Sequence, residues 1–364
     1  MTSKAPESID AVGLLAREHE FDTIIDARSP GEFAHDHIPG AINLPVLNDA
    51  ERALVGTINA ERSAFEAHRT GARLVSANIS RILDGPLAHQ SREWRPLVYC
   101  WRGGQRSGSL ATVLARIGWR THLLEGGYKA WRRTMLLAMT EHLEPLRFIV
   151  LAGRTGSGKS RVLDRLSAGG AQVLDLEALA SHRGSVLGLG PGAVQPTQKG
   201  FESRLWSRVR ELSPDRPVWV ESESRKIGAV HLPETLISRM RASPCAVLEV
   251  PAEQRAALLL EDYAHLIAAP DELKRLLEPL HRLHGHAVLE HWFTLIDARR
   301  WHEFVIRLLN DHYDPAYDRS MARNYLSDDN RRTTIAARSH QDTNTMLTEL
   351  ASEVLSREAE LTPG

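Results

Sequence analysis

The sequence predicts a mixed α/β protein of two successive domains, each built on a parallel sheet, with a helical extension after the second. Short apolar runs alternate with helical patterns up to about residue 250, which is typical of parallel strands joined by crossover helices. Two glycine-rich loops, at 100–107 and 153–160, each follow directly on an apolar run. The chain of 364 residues is also longer than a single hydrophobic core usually serves.

The first domain is predicted over residues 1–144. Its extended segments are expected at 21–26, 38–45, 96–99 and 121–124. Helical patterns lie between them, from Pro30, over the polar stretch 49–92 and over 107–117. Asp26 and Arg28, at the end of the first of these strands, are interpreted as structural residues that fix the edge of a site.

The second domain is predicted over residues 145–364, because Glu144-Pro145 separates the last helix from a new apolar run. Strands are expected at 147–152, 172–174, 217–220 and 245–250. Beyond Pro251 the pattern is helical almost throughout. The last 35 residues are polar, and we expect them to be loosely held.

The bulk composition excludes several classes of protein. Cys100 and Cys245 are the only two cysteines, so the sequence offers neither a disulfide framework nor a zinc-ligand spacing, and we expect a reducing cytoplasm. No apolar leader or membrane-spanning run occurs, so no membrane contact is expected. The net charge of −1 excludes nonspecific coating of nucleic acid but allows a local RNA-binding patch.

The first glycine loop carries a cysteine at its mouth. Cys100 ends an apolar run and is followed by Trp101, Arg102, Gly103, Gly104, Gln105 and Arg106. The backbone amides of Gly103 and Gly104 can turn toward one point and form an anion-binding nest. Arg102 and Arg106 would bind the anion and keep Cys100 a thiolate that takes a chalcogen or phosphoryl group. The alternative is a buried cysteine at a strand end, followed by a glycine turn.

The second glycine loop fits the phosphate-binding pattern G-x-x-x-x-G-K-[ST]. Its residues with predicted roles are Gly153, Gly156, Gly158, Lys159 and Ser160. The glycines let the backbone wrap a diphosphate, Lys159 reaches the outer phosphate, and Ser160 can ligate Mg²⁺. The alternative is a chance glycine loop. The motif is favoured because it follows a predicted strand and opens a helix, which is the context that phosphate-binding loops require. No base-reading element accompanies it.

Two carboxylates follow the predicted strand at 217–220. Glu221 and Glu223 are placed where a second metal-orienting strand would lie, so either could hold Mg²⁺ through water or act as a base. The alternative is a pair of acids exposed at a strand end. No metal site is certain from the sequence.

RNA contact is expected from local cations and one aromatic ring. Arg204 and Arg208, with Arg210, lie on a predicted helix whose apolar face is formed by Phe201, Leu205, Val209 and Leu212. Further candidates are Arg225, Lys226, Arg299 and Arg300. Trp101 could stack on a flipped base. The alternative for each cation is a solvated helix or loop face, and Trp101 could instead pack against the sheet.

Four ordered motifs in the first third resemble the rhodanese family. They are Ile25-Asp26-Ala27-Arg28 with Glu32-Phe33, then His37-Ile38-Pro39-Gly40-Ala41-Ile42-Asn43, the cysteine loop, and Leu124-Glu125-Gly126-Gly127-Tyr128-Lys129-Ala130-Trp131. The resemblance implies an α/β domain with a central parallel sheet and a cysteine that carries persulfide sulfur. Five residues separate Cys100 from Arg106, one more than in many sulfurtransferase loops and as many as in cysteine phosphatases. A phosphate-sized donor such as selenophosphate therefore becomes plausible.

The chain from about residue 10 to 320 resembles the tRNA 2-selenouridine synthase family. Beyond both loops, the resemblance rests on the segments 175–185, 195–202, 221–228 and 312–317. It implies that tRNA carrying 2-thiouridine at the wobble position is first S-geranylated from geranyl diphosphate. Selenium from selenophosphate then replaces the S-geranyl group, with Cys100 as the carrier and a selenophosphate-supplying enzyme as a possible partner.

Two other interpretations remain open at the level of sequence. One is a rhodanese or cysteine-phosphatase domain joined to a small-molecule kinase, with ATP phosphotransfer and no tRNA. The other is a nucleotide-sensing adaptor that passes persulfide to a partner. Both alternatives predict that tRNA does not bind.

Overall fold

A computed structural model describes residues 5–185, 187–190, 192–325, 331–338 and 342–361. The chain divides into two compact units. The first comprises Met1–Met139 with Thr197–Ser207, and the second comprises Thr140–Pro196 with Arg208–Gly364. The expected division at Glu144-Pro145 lies five residues beyond the first of these limits, and the segment 197–207 joins the first unit although it follows the start of the second in sequence.

In the described part of residues 1–143 the chain forms five strands and six helices, and the last helix extends four residues past the limit of the first unit at Met139. The strands are β1 (Glu7–Ile9), β2 (Thr23–Asp26), β3 (Ile42–Asn43), β4 (Pro96–Tyr99) and β5 (His122–Leu124). The helices are α1 (Ala11–Arg17), α2 (Pro30–His35), α3 (Asp49–Glu61), α4 (Ala64–Asp84), α5 (Gln105–Ile117) and α6 (Gly127–Leu143). A short 3₁₀ turn, Glu18–Glu20, follows α1.

The sheet of the first unit is wholly parallel and has the order β1-β5-β4-β2-β3. β4 is the middle strand, and Val98 lies beside Ile25 of β2 in the register. The polar stretch 49–92, predicted to be helical, forms α3 and α4. α3 begins where the side chain of Asn48 accepts a hydrogen bond from the Glu51 amide. The parallel α/β architecture predicted for this part of the chain is confirmed.

The second unit adds seven strands. They are β6 (Phe148–Gly153), β7 (Gln172–Leu174), β8 (Val218–Glu221), β9 (Lys226–Ile227), β10 (Val230–His231), β11 (Cys245–Glu249) and β12 (Arg332–Ala336). Five of them form a wholly parallel sheet of order β12-β11-β6-β8-β7, so β6 is its middle strand. β9 and β10 form a separate antiparallel hairpin.

The helices that follow β6 are mostly short. They are α7 (Lys159–Ala168), α8 (Leu176–Ala180), α9 (Gln198–Val209), α10 (Glu234–Ala242), α11 (Ala252–Asp262), α12 (Ala264–Ile267), α13 (Pro270–Leu277), α14 (His281–His284), α15 (His286–Asp297), α16 (Trp301–Leu308), α17 (Asp314–Asn324), α18 (Thr343–Ser356) and α19 (Glu358–Leu361). A 3₁₀ turn precedes α14 and a π turn, Leu309–Tyr313, follows α16. The helical extension expected beyond Pro251 is confirmed.

The last 35 residues are not loosely held where the structure describes them, so that expectation is wrong. β12 pairs with β11 along its whole length, with Ile335 beside Leu248. On α18, Met346, Leu347, Leu350 and Val354 are buried in the core of the sheet. The apolar spacing of α18 was not recognised in the sequence because polar residues surround it. β12 was not recognised because only one of its five side chains is buried, as is common for edge strands.

In the described part of the chain, no helix is both long and apolar enough to cross a membrane.

Candidate active site

The thiol of Cys100 lies at the carboxyl end of the middle strand of the first sheet. That edge is where ligands bind in open parallel sheets. The carbonyl oxygen of Cys100 accepts a hydrogen bond of 2.8 Å from the Tyr128 amide, which fixes the start of the loop. The Ser107 hydroxyl, in the first turn of α5, lies 3.0 Å from Cys100 Sγ and can donate a hydrogen bond to it. The start of α5 therefore places a hydroxyl group directly against the sulfur.

Two close approaches between glycines shape this loop. Gly103 has a φ of +66° and Gly127 a φ of +57°, a region that favours glycine. A Cβ at Gly127 would overlap the Cys100 carbonyl oxygen and would lie 2.5 Å from the Gly103 nitrogen. The backbone of Gly127 therefore packs directly against the backbone of the cysteine loop. Gly127 is a site residue to which the sequence analysis gave no role.

Replacing Gly127 with alanine is expected to destabilise the first unit by about 2 kcal/mol or more, through strain at positive φ and overlap with the loop backbone. Gly104→Ala is the matched control, because a Cβ there meets nothing within 4 Å. Thermal unfolding of both variants measures the difference. Equal melting temperatures for the two variants would contradict the close approach.

The two loop arginines have different surroundings. Arg102 is exposed. Arg106 donates a hydrogen bond of 2.6 Å to Glu32, so this carboxylate holds the guanidinium at the start of α5. Burial alone would raise the pKa of Glu32, but the hydrogen bond and charge of Arg106 lower it. The sequence analysis gave Glu32 no role, although Ser29, Pro30 and Glu32 carry a helix-capping pattern that places this carboxylate at the start of α2.

Asp26 and Arg28 form a buried ion pair of 2.6 Å at the end of β2. Arg28 also donates a hydrogen bond of 2.7 Å to the Asp36 carbonyl, and its guanidinium lies 4.1 Å from the ring centroid of Tyr128. Neither side chain is more than 1% exposed. Their contacts thus join β2 to the segment beside the cysteine loop, as the structural interpretation expects.

Trp101 lies in the cysteine loop with its ring partly exposed. It stacks on Tyr128 at a centroid distance of 5.4 Å, and Lys199 Nζ lies 5.6 Å from its centroid. Lys199 belongs to α9, in the segment 197–207 that packs with the first unit. That segment is tied to α2 by a hydrogen bond of 2.7 Å from Thr197 Oγ1 to the His35 carbonyl. A cation beside the loop thus comes from a distant part of the sequence.

The phosphate-binding loop follows β6, the middle strand of the second sheet, and opens α7. Gly156 and Gly158 have φ values of +81° and +76°, which side chains rarely adopt. Lys159 Nζ donates a hydrogen bond of 2.7 Å to the Gly153 carbonyl, and Ser160 Oγ donates one of 3.0 Å to Glu177. A Cβ at Gly158 would lie 2.5 Å from Leu347, so α18 packs directly on this loop.

Four carboxylates influence one another electrostatically near the start of α7: Asp175, Glu177, Glu221 and Glu223, of which Glu177 accepts the Ser160 hydrogen bond. Glu221 is 1% exposed; one of its oxygens accepts a hydrogen bond of 2.7 Å from the Glu177 amide, and the other has no partner in the described structure. Burial, followed by the charge of Asp175, raises the pKa of Glu221 well above its ordinary value. Burial and the charge of Glu177 raise the pKa of Glu223 to about 8. The sequence analysis placed Asp175 and Glu177 in a segment that carries the family resemblance but gave them no role.

Hydroxyl and carboxylate oxygens are the donors that Mg²⁺ prefers, so Ser160 and these acids fit that ion chemically. No group of three or more His, Cys, Asp or Glu side chains among the described residues is arranged to hold a metal ion. This combination suits a Mg²⁺ that takes most of its ligands from phosphate and water and few from the protein.

Glu223 gives the stability of the second unit a pH dependence. Because its folded-state pKa of about 8 exceeds the ordinary 4.5, the folded protein binds a proton there that the unfolded chain releases. The stability that Glu223 contributes through this proton is complete below about pH 4.5 and is lost as the pH rises through about 8. Glu223→Gln should therefore raise the melting temperature by a few degrees at pH 8.5 and change it little at pH 5. The exposed Glu290→Gln is the control; equal pH profiles for all three proteins would contradict the prediction.

The predicted RNA-contact cations are dispersed. On α9, Phe201, Leu205 and Val209 are buried as predicted, and Arg204 is exposed. Arg208 donates hydrogen bonds of 2.9 and 3.1 Å to the Val173 carbonyl, which holds its guanidinium against β7.

The other cations lie on turns and helix ends. Arg225 and Lys226 are exposed at the β9 hairpin, and Arg225 pairs with Glu234 at 3.0 Å. Arg300 pairs with Glu303, and Arg299 has a positive φ of +54° at the turn before α16. None of these observations tests RNA contact, which stays a prediction.

Two family models match the chain. The model described as a rhodanese-like domain matches residues 10–134, and the one described as the tRNA 2-selenouridine synthase AAA domain matches residues 146–286. Together they cover both loops.

Curated relatives match across both units. The chain is 33% identical to a tRNA 2-selenouridine synthase of Marinobacter nauticus, over 81% of this chain and 87% of that protein. It is 34% identical to one of a Sulfurovum species, over 83% of this chain and 89% of that protein. The match to the Nitrosomonas europaea protein of the same name is 36% identical, over 66% of this chain and 63% of that protein.

Proposed function

Because this chain belongs to the tRNA 2-selenouridine synthase family, we propose that it converts 2-thiouridine at the wobble position of tRNA into 2-selenouridine. One observation carries the proposal. A thiol loop and a phosphate-binding loop each follow the middle strand of a five-stranded parallel sheet in the same chain. The conversion needs both kinds of site, a nucleophile for selenium delivery and a cradle for a phosphorylated donor.

The first proposed step is S-geranylation. The thiocarbonyl sulfur attacks C1 of geranyl diphosphate, an S–C bond forms, and the C–O bond breaks with its electron pair leaving on diphosphate. The uridine ring then loses its N3 proton to solvent. The loop amides and Lys159 would bind the departing diphosphate. Ser160, whose hydroxyl donates a 3.0 Å hydrogen bond to Glu177, would hold Mg²⁺ with that carboxylate, and the ion would neutralise charge on the leaving group. Alkylation makes the sulfur a better leaving group for the next step.

The second proposed step uses Cys100 on selenophosphate. The thiolate attacks phosphorus, an S–P bond forms, and the P–Se bond breaks with its electron pair leaving on hydroselenide. Hydroselenide adds to C2 of the S-geranylated base and geranylthiol departs, while water hydrolyses the phosphocysteine. We place the attack on phosphorus because a sulfur–selenium bond on Cys100 would need a later reductant. Arg102 and the amides of Gly103 and Gly104 would bind the phosphoryl oxygens.

The tRNA substrate would lie on exposed cations and on Trp101. Arg204, Arg225 and Lys226 are exposed and suit phosphate contacts, and the partly exposed Trp101 ring suits stacking on a flipped base. A selenophosphate-supplying enzyme is the partner that this chemistry requires, and a tRNA substrate places the reaction in the cytoplasm.

Mass analysis of nucleosides tests the proposal directly. Thiolated tRNA is incubated with the protein, Mg²⁺, geranyl diphosphate and selenophosphate. We expect S-geranyl-2-thiouridine when selenophosphate is omitted and 2-selenouridine when both donors are present. Unchanged 2-thiouridine in the complete reaction contradicts the proposal. An arm with ATP in place of geranyl diphosphate examines the kinase alternative, which predicts ATP consumption without any change to the tRNA.

A further inference from the structure

An apolar cavity lies beside the phosphate-binding loop of the second unit. Its volume is about 50 Å³, below the range of about 300–1,000 Å³ for ordinary small-ligand pockets, so only a slender occupant fits it. Its walls come from α11, α12, α13, α16 and the π turn, together with Thr155, Ser185 and Leu187.

The cavity and the loop share a wall. Thr155 belongs to the phosphate-binding loop and also lines the cavity. A Cβ at the next residue, Gly156, would lie 2.9 Å from Leu259, another lining residue on α11. Arg255 of α11 donates a hydrogen bond of 3.1 Å to the Thr155 carbonyl and forms a buried ion pair of 2.7 Å with Asp314. A molecule bound by the loop amides would therefore have the cavity directly alongside.

The lining is almost wholly apolar. Leucine, isoleucine, valine, phenylalanine and tryptophan side chains supply most of it, and its polar contributors are hydroxyl-bearing residues such as Tyr263 and Tyr313. None of the described lining residues is charged. A nucleotide base and ribose would leave their polar groups without charged or amide partners here, whereas a thin hydrocarbon chain loses nothing by entering.

We propose that this cavity binds the hydrocarbon chain of a prenyl diphosphate whose phosphates lie in the loop. The inference rests on the proposed geranylation step and adds the residues that select the donor. Affinity should then rise with chain length until the cavity is filled, because each further buried carbon gains transfer free energy. The phosphate contacts should be independent of chain length.

Calorimetric titration of the full-length protein in Mg²⁺ buffer tests this, with pyrophosphate, dimethylallyl diphosphate and geranyl diphosphate as probes. We expect geranyl diphosphate to bind at least about tenfold more tightly than dimethylallyl diphosphate. Equal affinities for the two prenyl probes would overturn the cavity assignment. No binding of either prenyl probe, with ATP bound normally, would instead overturn the proposed geranylation itself.

Val305→Phe places a larger side chain in the cavity wall on α16. It should weaken geranyl diphosphate binding about tenfold or more and leave pyrophosphate binding unchanged. Ile306→Phe is the matched control, since Ile306 packs in the same helical core but is not a lining residue. The assignment is wrong if the two variants bind geranyl diphosphate equally, or if Val305→Phe weakens pyrophosphate binding by the same factor.

A second variant guards against misfolding of the first. Leu260→Phe alters a different wall, on α11, and should reproduce the selective loss. Melting temperatures are measured for every variant, and only variants that melt with the wild type are compared. Retention of full geranyl diphosphate affinity in a folded Leu260→Phe and a folded Val305→Phe would overturn the proposal, even if geranylation of tRNA is observed.

Discussion

Cys100→Ala is expected to stop selenium incorporation while geranylation of thiolated tRNA continues. The thiol is the group that would attack selenophosphate, so its loss should lower the selenation rate at least about 1,000-fold. In the proposed scheme geranylation uses the phosphate-binding loop, which belongs to the other compact unit. The measurement is nucleoside mass analysis in two separate reactions, one supplied with geranyl diphosphate and one supplied with pre-geranylated tRNA and selenophosphate.

The matched control is Cys245→Ala. Both cysteines are buried, but Cys245 lies within β11, where burial raises its pKa to about 12, so it should contribute no nucleophile. Mass analysis of the wild-type protein under selenophosphate turnover should also detect phosphocysteine at Cys100. Selenation that survives in Cys100→Ala would remove this residue from the reaction, and a selenium adduct in place of phosphocysteine would move the attack from phosphorus to selenium.

Lys159→Ala is expected to give the opposite result, with geranylation lowered about 100-fold and selenation of pre-geranylated tRNA unchanged. Loss of one positioned donor to a charge-bearing group typically costs that much in rate. Lys159 also lies 5.9 Å from the ring centroid of Tyr317 and near Glu223, so its ammonium contributes to the local charge balance. Initial rates at low and saturating geranyl diphosphate distinguish weaker binding from slower transfer.

Lys274→Ala is the matched control for Lys159→Ala, because Lys274 pairs with Asp297 on the surface of the helical extension. It should geranylate at the wild-type rate. If Lys159→Ala geranylates normally at low donor concentration, the loop does not hold the diphosphate. A nucleotide that gates a conformational change would then be the better account of the motif.

The sequence was sufficient to predict the two sheets and both loops because each signal there is local. An apolar run of four to six residues before a glycine-rich loop specifies strand, loop and helix together, as at Cys100 and at Lys159. The apolar face of α9 was likewise visible in the spacing of Phe201, Leu205 and Val209, and all three are buried. The ends of seven of the eight predicted strands agree with the structure to within two residues. Only Ile42–Asn43 of the expected 38–45 segment forms a strand, and β1, β9, β10 and β12 were not predicted.

What the sequence could not predict depends on residues that are distant along the chain. Glu32 reaches Arg106 across 74 positions, and Glu177 reaches Glu221 across 44. These pairs follow from strand order, which places the carboxyl ends of β2 and β4, or of β7 and β8, at one edge of a sheet. Propensity and spacing carry no information about that order. The cavity beside Thr155 could not be predicted from the sequence for the same reason, because four helices that are separate in the sequence contribute to its walls.

The packing of α18 on the phosphate-binding loop matters for how the protein is synthesised. A ribosome that has reached residue 330 has not yet made β12 or α18, so β11 has an unpaired edge and Gly158 lacks its contact with Leu347. The nascent chain at that stage exposes a hydrophobic sheet face, which is a surface that chaperones bind and that promotes aggregation. Prematurely terminated products should therefore be cleared by proteolysis rather than persist as partly active enzyme.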